Sequence, residues 1–325
     1  MRRILVTGAS GFIGSHVAAA ALRRGYEVVA LARRPDTYQP PQGVHTVGGD
    51  VRDPGAMRAA VRGCHAVVHL AALCTFDAAQ AARMHEVNVV GTANVLQAAL
   101  AEGVDRIVYT GTVGGTAFSR ERLATEDDLA GPEAMRGPYK RSKFAAECAV
   151  RALVRDGAPI VTVCPTAPLG PGDARPTPTG AIVRDFLRRR MPAYVDTGLN
   201  FVHVADVAEG HLLALERGEP GDRYLLGNTA GNLTLSEALG ILSELTGIPA
   251  PRVRLPHGAL LAAAWASEAA GRMLGCPPPL PLEAARMAAT RMWVDPSRSV
   301  RALGMPQTPV RRAFQDAVEW YTAHP

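Results

Sequence analysis

The sequence predicts an α/β protein built on a doubly wound parallel sheet, and three observations predict it. Short, uninterrupted apolar runs alternate with helix-patterned segments through the first half of the chain. That is the pattern of parallel strands buried on both faces. A glycine-rich turn, Thr7-Gly8-Ala9-Ser10-Gly11-Phe12-Ile13-Gly14, falls between the first apolar run and the first helix pattern. Finally, 325 residues that are 47% apolar and 20% charged can fill a core of this size, which excludes a disordered or collagen-like chain.

Taken in order, residues 4–7 read as a strand and 13–24 as a helix stopped by Gly25, a glycine placed to end it. Residues 27–32 and 44–47 read as strands, 54–61 as a helix and 66–71 as a strand. One long helix is expected over 78–102, a strand over 106–110, a helix over 139–155 and a strand over 160–164. After Pro165 the texture changes. Residues 165–180, rich in Pro, Gly and Thr, read as a loop, and 181–190 as a helix. Residues 201–204 and 224–226 read as strands returning to the main sheet. A helix over 235–245 is capped by Thr234 or Ser236. An apolar helix over 260–274 reads as core, with covering a lipophilic substrate or facing a membrane surface as its alternatives, and is followed by prolines at 277–281, the segment 282–292 and a last helix over 310–321. The chain is thus expected to divide into a first unit, 1–165 with return strands around 200–226, and a second unit, 166–325.

The net charge of +5 is spread along the chain and is read as a solubility feature, not a nucleic-acid surface. No 18-residue apolar run is present, so no membrane span is expected. Five cysteines, Cys64, Cys74, Cys148, Cys164 and Cys276, form no C-x-x-C pair, which points to reduced thiols and a cytoplasmic location. No spacing of His, Cys and carboxylates points to a metal. Of 35 basic residues only Lys140 and Lys143 are lysines, leaving 33 arginines. Codon bias accounts for the imbalance without function. A chain that avoids lysine should still keep it where a compact ammonium cannot be replaced by a planar fork.

Gly8, Gly11 and Gly14 give G-x-x-G-x-x-G. The first allows the tight turn, the second lets the backbone approach a pyrophosphate, and the third lets helix and strand pack closely. The helix start, through Phe12 and Ile13, offers amides to the phosphates. The second strand ends in Arg33-Arg34 with no acidic residue at its end. An acid there would hold the ribose of NAD, whereas arginine accommodates the 2′-phosphate of NADP. The expected cofactor is NADP, with NAD as the alternative. Tyr139 and Lys143 are four apart at the start of a helix, so they share a face. An ammonium beside a phenol lowers the phenol pKa and readies it for proton transfer.

Together these residues resemble the extended branch of the short-chain dehydrogenase/reductase superfamily, the NAD-dependent epimerase/dehydratase family, over nearly the whole chain. The resemblance implies a Rossmann domain and a smaller C-terminal substrate-binding domain. It implies catalytic roles for Thr112, Tyr139 and Lys143. Thr112 stands in Gly111-Thr112, where many relatives have two serines. It also implies cofactor contacts: Asp50 and Val51 at the adenine, Leu70, Ala71 and Ala72 along the phosphates, and Pro165-Thr166 beside the nicotinamide. Asn88 matches a position that helps hold the active-site helix. The resemblance also places it among the cofactor-binding residues, and its own chemistry suits either a proton relay or a capping or buried amide. Within the branch the chain most resembles hopanoid-associated sugar epimerases, with dihydroflavonol-reductase-like enzymes as wider relatives. The stretches that carry this are 139–144, 175–180 and 191–215.

The expected function is hydride transfer between NADPH and a ketone, aldehyde or secondary alcohol. The alternative is a nucleotide-sugar epimerase, and a nonenzymatic NADP sensor ranks below both. Sugar-nucleotide epimerases commonly carry Arg-Asp before the Phe of Phe-x-x-Val-x-Asp-Val. Here that place reads Leu199-Asn200-Phe201, so the arginine is missing unless Arg184, Arg188 or Arg298 replaces it. His203 reads as a half-buried strand histidine, Cys164 as a packing thiol, and 188–190 as a solvated helix end. Residues 114–138 should overhang a small-molecule substrate. Relatives often dimerise through the helices near 78–102 and 139–155, so the resemblance offers a homodimer through them, while the sequence leaves the oligomeric state open.

Overall fold

The computed structural model describes residues 2–119 and 121–325. Strand β1 (Arg3–Thr7) runs through the glycine turn into α1 (Phe12–Arg23). Gly25 ends that helix at φ +78°, with Gly25 N on Leu22 O and Tyr26 N on Ala21 O. The left-handed residue closes the last carbonyls at no steric penalty. Next come β2 (Glu27–Ala32), β3 (Val44–Gly48), α2 (Pro54–Val61) and β4 (Ala66–His69). Asp53 caps α2 by accepting from the Gly55 and Ala56 amides. They are followed by α3 (Ala81–His85), α4 (Gly91–Ala101), β5 (Arg106–Thr110), α5 (Pro138–Arg155) and β6 (Ile160–Pro165).

The second half adds β7 (Ala167–Leu169), α6 (Pro178–Leu187), β8 (Ala193–Val195), β9 (Gly198–His203), α7 (Val204–Arg217) and β10 (Arg223–Leu226). Then follow β11 (Asn232–Thr234), α8 (Leu235–Thr246), β12 (Val253–Leu255), α9 (His257–Leu274), α10 (Leu282–Met287), β13 (Arg291–Met292) and α11 (Val310–Ala323). The main sheet has seven parallel strands in the order β10-β6-β5-β4-β1-β2-β3. Strand order reverses between β1 and β4, which opens a crevice at their C-terminal ends. One face packs on α1 and α7, the other on α2, α4 and α5. A third core joins α6, α8, α11 and β9.

Four expectations are corrected. The helix expected over 78–102 is broken: α3 passes through a π-helical turn, Glu86–Val90, into α4. The loop expected over 165–180 contains β7, and α6 begins at Pro178 on its Thr177 cap, because proline suits a first helical turn. Only β10 returns to the main sheet. Strand β9 pairs instead with β7, β11 and β13, while the following α7 packs on the main sheet. Finally, α9 is not core: only Ala264 and Gly271 are buried, and Trp265 is 64% exposed and Met273 81%. Its alanines read as apolar, yet no other part of the described chain covers its outer face. The cap of α8 resolves to Thr234, which forms a capping box with Glu237.

Candidate active site

The glycine turn is shaped by contacts that no side chain could share. Gly8 holds φ +74°, and a Cβ there would sit 2.8 Å from Ala71 N. A Cβ on Gly14 would overlap Gly8 O. Gly11 starts α1 with no side-chain cap, so the amides of the first turn remain available to an anion. Leu70 and Ala71 lie directly against this turn. They are held there by Thr7, whose hydroxyl accepts from Ala71 N at 3.2 Å and lies 2.7 Å from His69 Nδ1. Burial pushes His69 down to about 3, so the ring is neutral and structural. These features fit a dinucleotide pyrophosphate.

Arg33 stands exposed past the end of β2, with no ion pair among the described residues. It lies near enough to Asp50 to favour its carboxylate. Asp50 is gripped mainly by Arg52, through Nε at 3.1 Å and Nη2 at 2.9 Å, which holds its carboxyl below the ordinary range. Val51 is buried beneath Gly91, and Ala72 is exposed on the loop after β4. Pro165 closes β6, and Thr166 Oγ1 reaches Leu226 O at 3.2 Å and Asn200 Oδ1 at 3.1 Å.

Tyr139 lies in the first turn of α5 and Thr112 just past the end of β5. The fold brings them together: the side chains of Thr112 and Cys74 both reach the phenol, and the Phe76 ring packs edge-on at 6.0 Å. Burial pushes the phenol well above its ordinary value, and Thr112 offsets this in part. Gly111 is explained by the same packing. A Cβ there would lie 2.9 Å from Cys164 Sγ, so the buried thiol takes the space that a serine would need. Burial pushes that thiol up to about 11, which leaves Cys164 inert.

The expectation that Lys143 lowers the Tyr139 pKa is not met in this arrangement. The ammonium donates to Thr110 O at 2.8 Å and lies 5.0 Å above the Tyr109 ring. It is committed to that carbonyl, and burial pushes it below its ordinary value. Lys140 takes another course, passing 3.9 Å from the position of a Cβ on Gly114.

Asn88 supports the site through hydrogen bonds on both of its sides. Its side chain accepts from Leu73 N at 2.7 Å and donates to Leu73 O at 3.0 Å and Ser142 Oγ at 2.9 Å. It therefore ties the loop after β4 to α5. His203 caps α7 and pairs with Asp316, so both of its ring nitrogens have partners within the chain. The 114–138 segment folds back: Glu126 accepts from Leu225 N, and bridges join Thr116 to Leu129 and Ala124 to Val294. Sequence reasoning missed Cys74, Phe76 and Glu283. The first two follow the phosphate loop within four residues and were findable. Glu283 was not, because it reaches α5 from 144 residues away.

The NAD dependent epimerase/dehydratase family model matches residues 4–227. A Synechocystis sp. protein provisionally named dihydroflavonol 4-reductase is 39% identical over 327 residues, covering 98% of this chain and 94% of its own. The solved structure of a protein named gox2253 superposes with TM-score 0.87 at 36% identity, over 100% of this chain and 99% of that one. A Thermus thermophilus UDP-glucose 4-epimerase in complex with NAD superposes with TM-score 0.78 at 25% identity, over 99% and 100%. The chain belongs to the NAD dependent epimerase/dehydratase family, in the extended branch of the short-chain dehydrogenase/reductase superfamily.

Proposed function

We propose that this protein is an NADPH-dependent reductase of a ketone or aldehyde, able to run in reverse on a secondary alcohol. The single observation that carries the reading is the meeting of Tyr139 and Thr112 at the C-terminal edge of the sheet, the same edge that carries the glycine turn. When bound, the dinucleotide supplies or accepts the hydride. Tyr139, kept protonated by burial, donates its proton to the carbonyl oxygen. The Thr112 hydroxyl donates a second hydrogen bond as charge develops there. Lys143 is assigned to the nicotinamide ribose. Tyr139→Phe is expected to lower turnover about 10²- to 10⁴-fold, measured as NADPH consumption with a panel of carbonyl substrates. Undiminished turnover sinks the mechanism.

Arg33, exposed and unpaired among the described residues, supports NADP over NAD. Arg33→Ala should weaken NADPH binding about 10- to 100-fold and leave NADH binding unchanged. A wild-type preference for NADH overturns this assignment.

The likeness to a UDP-glucose 4-epimerase supports a second reading, epimerisation by the same trio without net redox. The place of the epimerase arginine weighs against it. Asn200 is buried and bonded to Asn228 and Asn232. Arg184 pairs with Asp185 and Arg298 with Asp222, and Arg188 is exposed at the end of α6. Sugar interconversion by protein that retains its cofactor, with no net NADPH oxidation, would establish the epimerase instead.

A further inference from the structure

We propose that Glu283, from the lobe formed by α9 and α10, is a positioning residue that sets the first turn of α5 and thereby the Tyr139 phenol. This deepens the reductase reading and rests on it. Helix α5 starts at Pro138 with no cap from its own N-cap residue. Both amides that follow go to one carboxylate: Tyr139 N donates to Glu283 Oε2 at 3.4 Å and Lys140 N to Oε1 at 3.1 Å. Glu283 is only 4% exposed.

The chain is also shaped to admit it. Gly137 holds φ +104°, and a Cβ there would overlap the Glu283 carboxylate. A negative group at a helix N-terminus satisfies open amides and complements the dipole. Here that group comes from outside the nucleotide-binding unit. Glu283 stands in the first turn of α10, and the α9–α10 turn is itself fixed from α9: Glu268 accepts from Leu282 N at 3.0 Å and Ser267 from Leu280 N at 3.1 Å. The outer face of α9 is exposed among the described residues, at Trp265, Met273 and Leu274. The lobe therefore meets the chemistry through this carboxylate, at the residue whose phenol must be placed.

The test uses the full chain as Glu283→Ala, Glu283→Gln and Gly137→Ala. It reads kcat and KM with a carbonyl substrate, NADPH affinity by fluorescence, and amide hydrogen exchange at residues 139 and 140. Glu283→Ala and Gly137→Ala should lower kcat about 10- to 100-fold, as expected for a small misplacement of a reacting group. NADPH affinity should stay within twofold, and exchange at both amides should accelerate. Glu283→Gln keeps one acceptor oxygen but loses the second acceptor and the charge, so its kcat and amide exchange should fall between those of wild type and Glu283→Ala. Unchanged kcat and unchanged exchange in Glu283→Ala overturn the proposal. So does a loss of activity that merely tracks the loss of NADPH-binding protein. If Glu283→Ala fails to fold, Glu283→Gln and Gly137→Ala decide on the same readouts. Full activity in Tyr139→Phe would refute the reductase mechanism instead, and exchange at 139 and 140 would still decide whether Glu283 holds the helix.

Discussion

Lys140 and Lys143 are separated by their surroundings, not by their chemistry. Lys143 is 5% exposed and offers its ammonium to one carbonyl, Thr110 O, above the Tyr109 ring. A guanidinium there must fit a planar fork of five N–H donors where the ammonium donates to Thr110 O. Lys143→Arg should therefore lower kcat/KM by roughly 100-fold or more. Lys140, half-buried and without an ion pair among the described residues, has no such restriction. Lys140→Arg should keep activity within about threefold of wild type. Steady-state kinetics on the two variants checks this, and equal losses would contradict it. The lysine count pointed at this segment, but only the surroundings of each side chain tell the two apart.

At the scale of elements, the irregular turn between α3 and α4 matters most. It carries Asn88, whose three hydrogen bonds fix the Leu73 peptide and Ser142, and Ser142 in turn bonds Tyr139 O at 2.8 Å. Asn88→Ala strands the Leu73 peptide groups, at about 1–3 kcal/mol for each group left unsatisfied. Thermal denaturation should show the loss, and kcat should fall as the Cys74–Phe76 segment loosens around the phenol. Unchanged melting and unchanged kcat would refute the role. The glycine turn and α5 were legible in sequence because their signals are local: three glycines at fixed offsets, and a Tyr and a Lys one helical turn apart. The π-helical turn was not, because one extra residue in a helical turn leaves the apolar pattern almost intact.

At the scale of the molecule, two buried histidines stitch the sheet together. His69 joins β4 to Thr7 on β1 and Thr92 on α4, and His211 joins α7 to Thr110 on β5. Burial depresses His69 to about 3 and His211 to about 4, from 6.5. Below pH 6.5 the unfolded chain binds protons that the folded chain refuses, so stability falls as pH falls through 6.5, until about 3 for His69 and 4 for His211. Each should remove about 2 kcal/mol by pH 5. Denaturant unfolding at pH 7, 6 and 5 checks the slope, and a flat profile would rule it out.

By itself the sequence determined the alternating α/β order, the shape of the glycine turn, and the shared face of Tyr139 and Lys143. Each depends on neighbours within a few residues, where backbone geometry follows directly from residue type and spacing. Only the tertiary structure decided that β9 leaves the main sheet, that α9 lies exposed, that Lys143 turns to Thr110 O, and that Glu283 reaches the first turn of α5. Those outcomes depend on which distant surfaces pack together. A run of apolar residues states that a surface prefers burial, but not which partner will cover it.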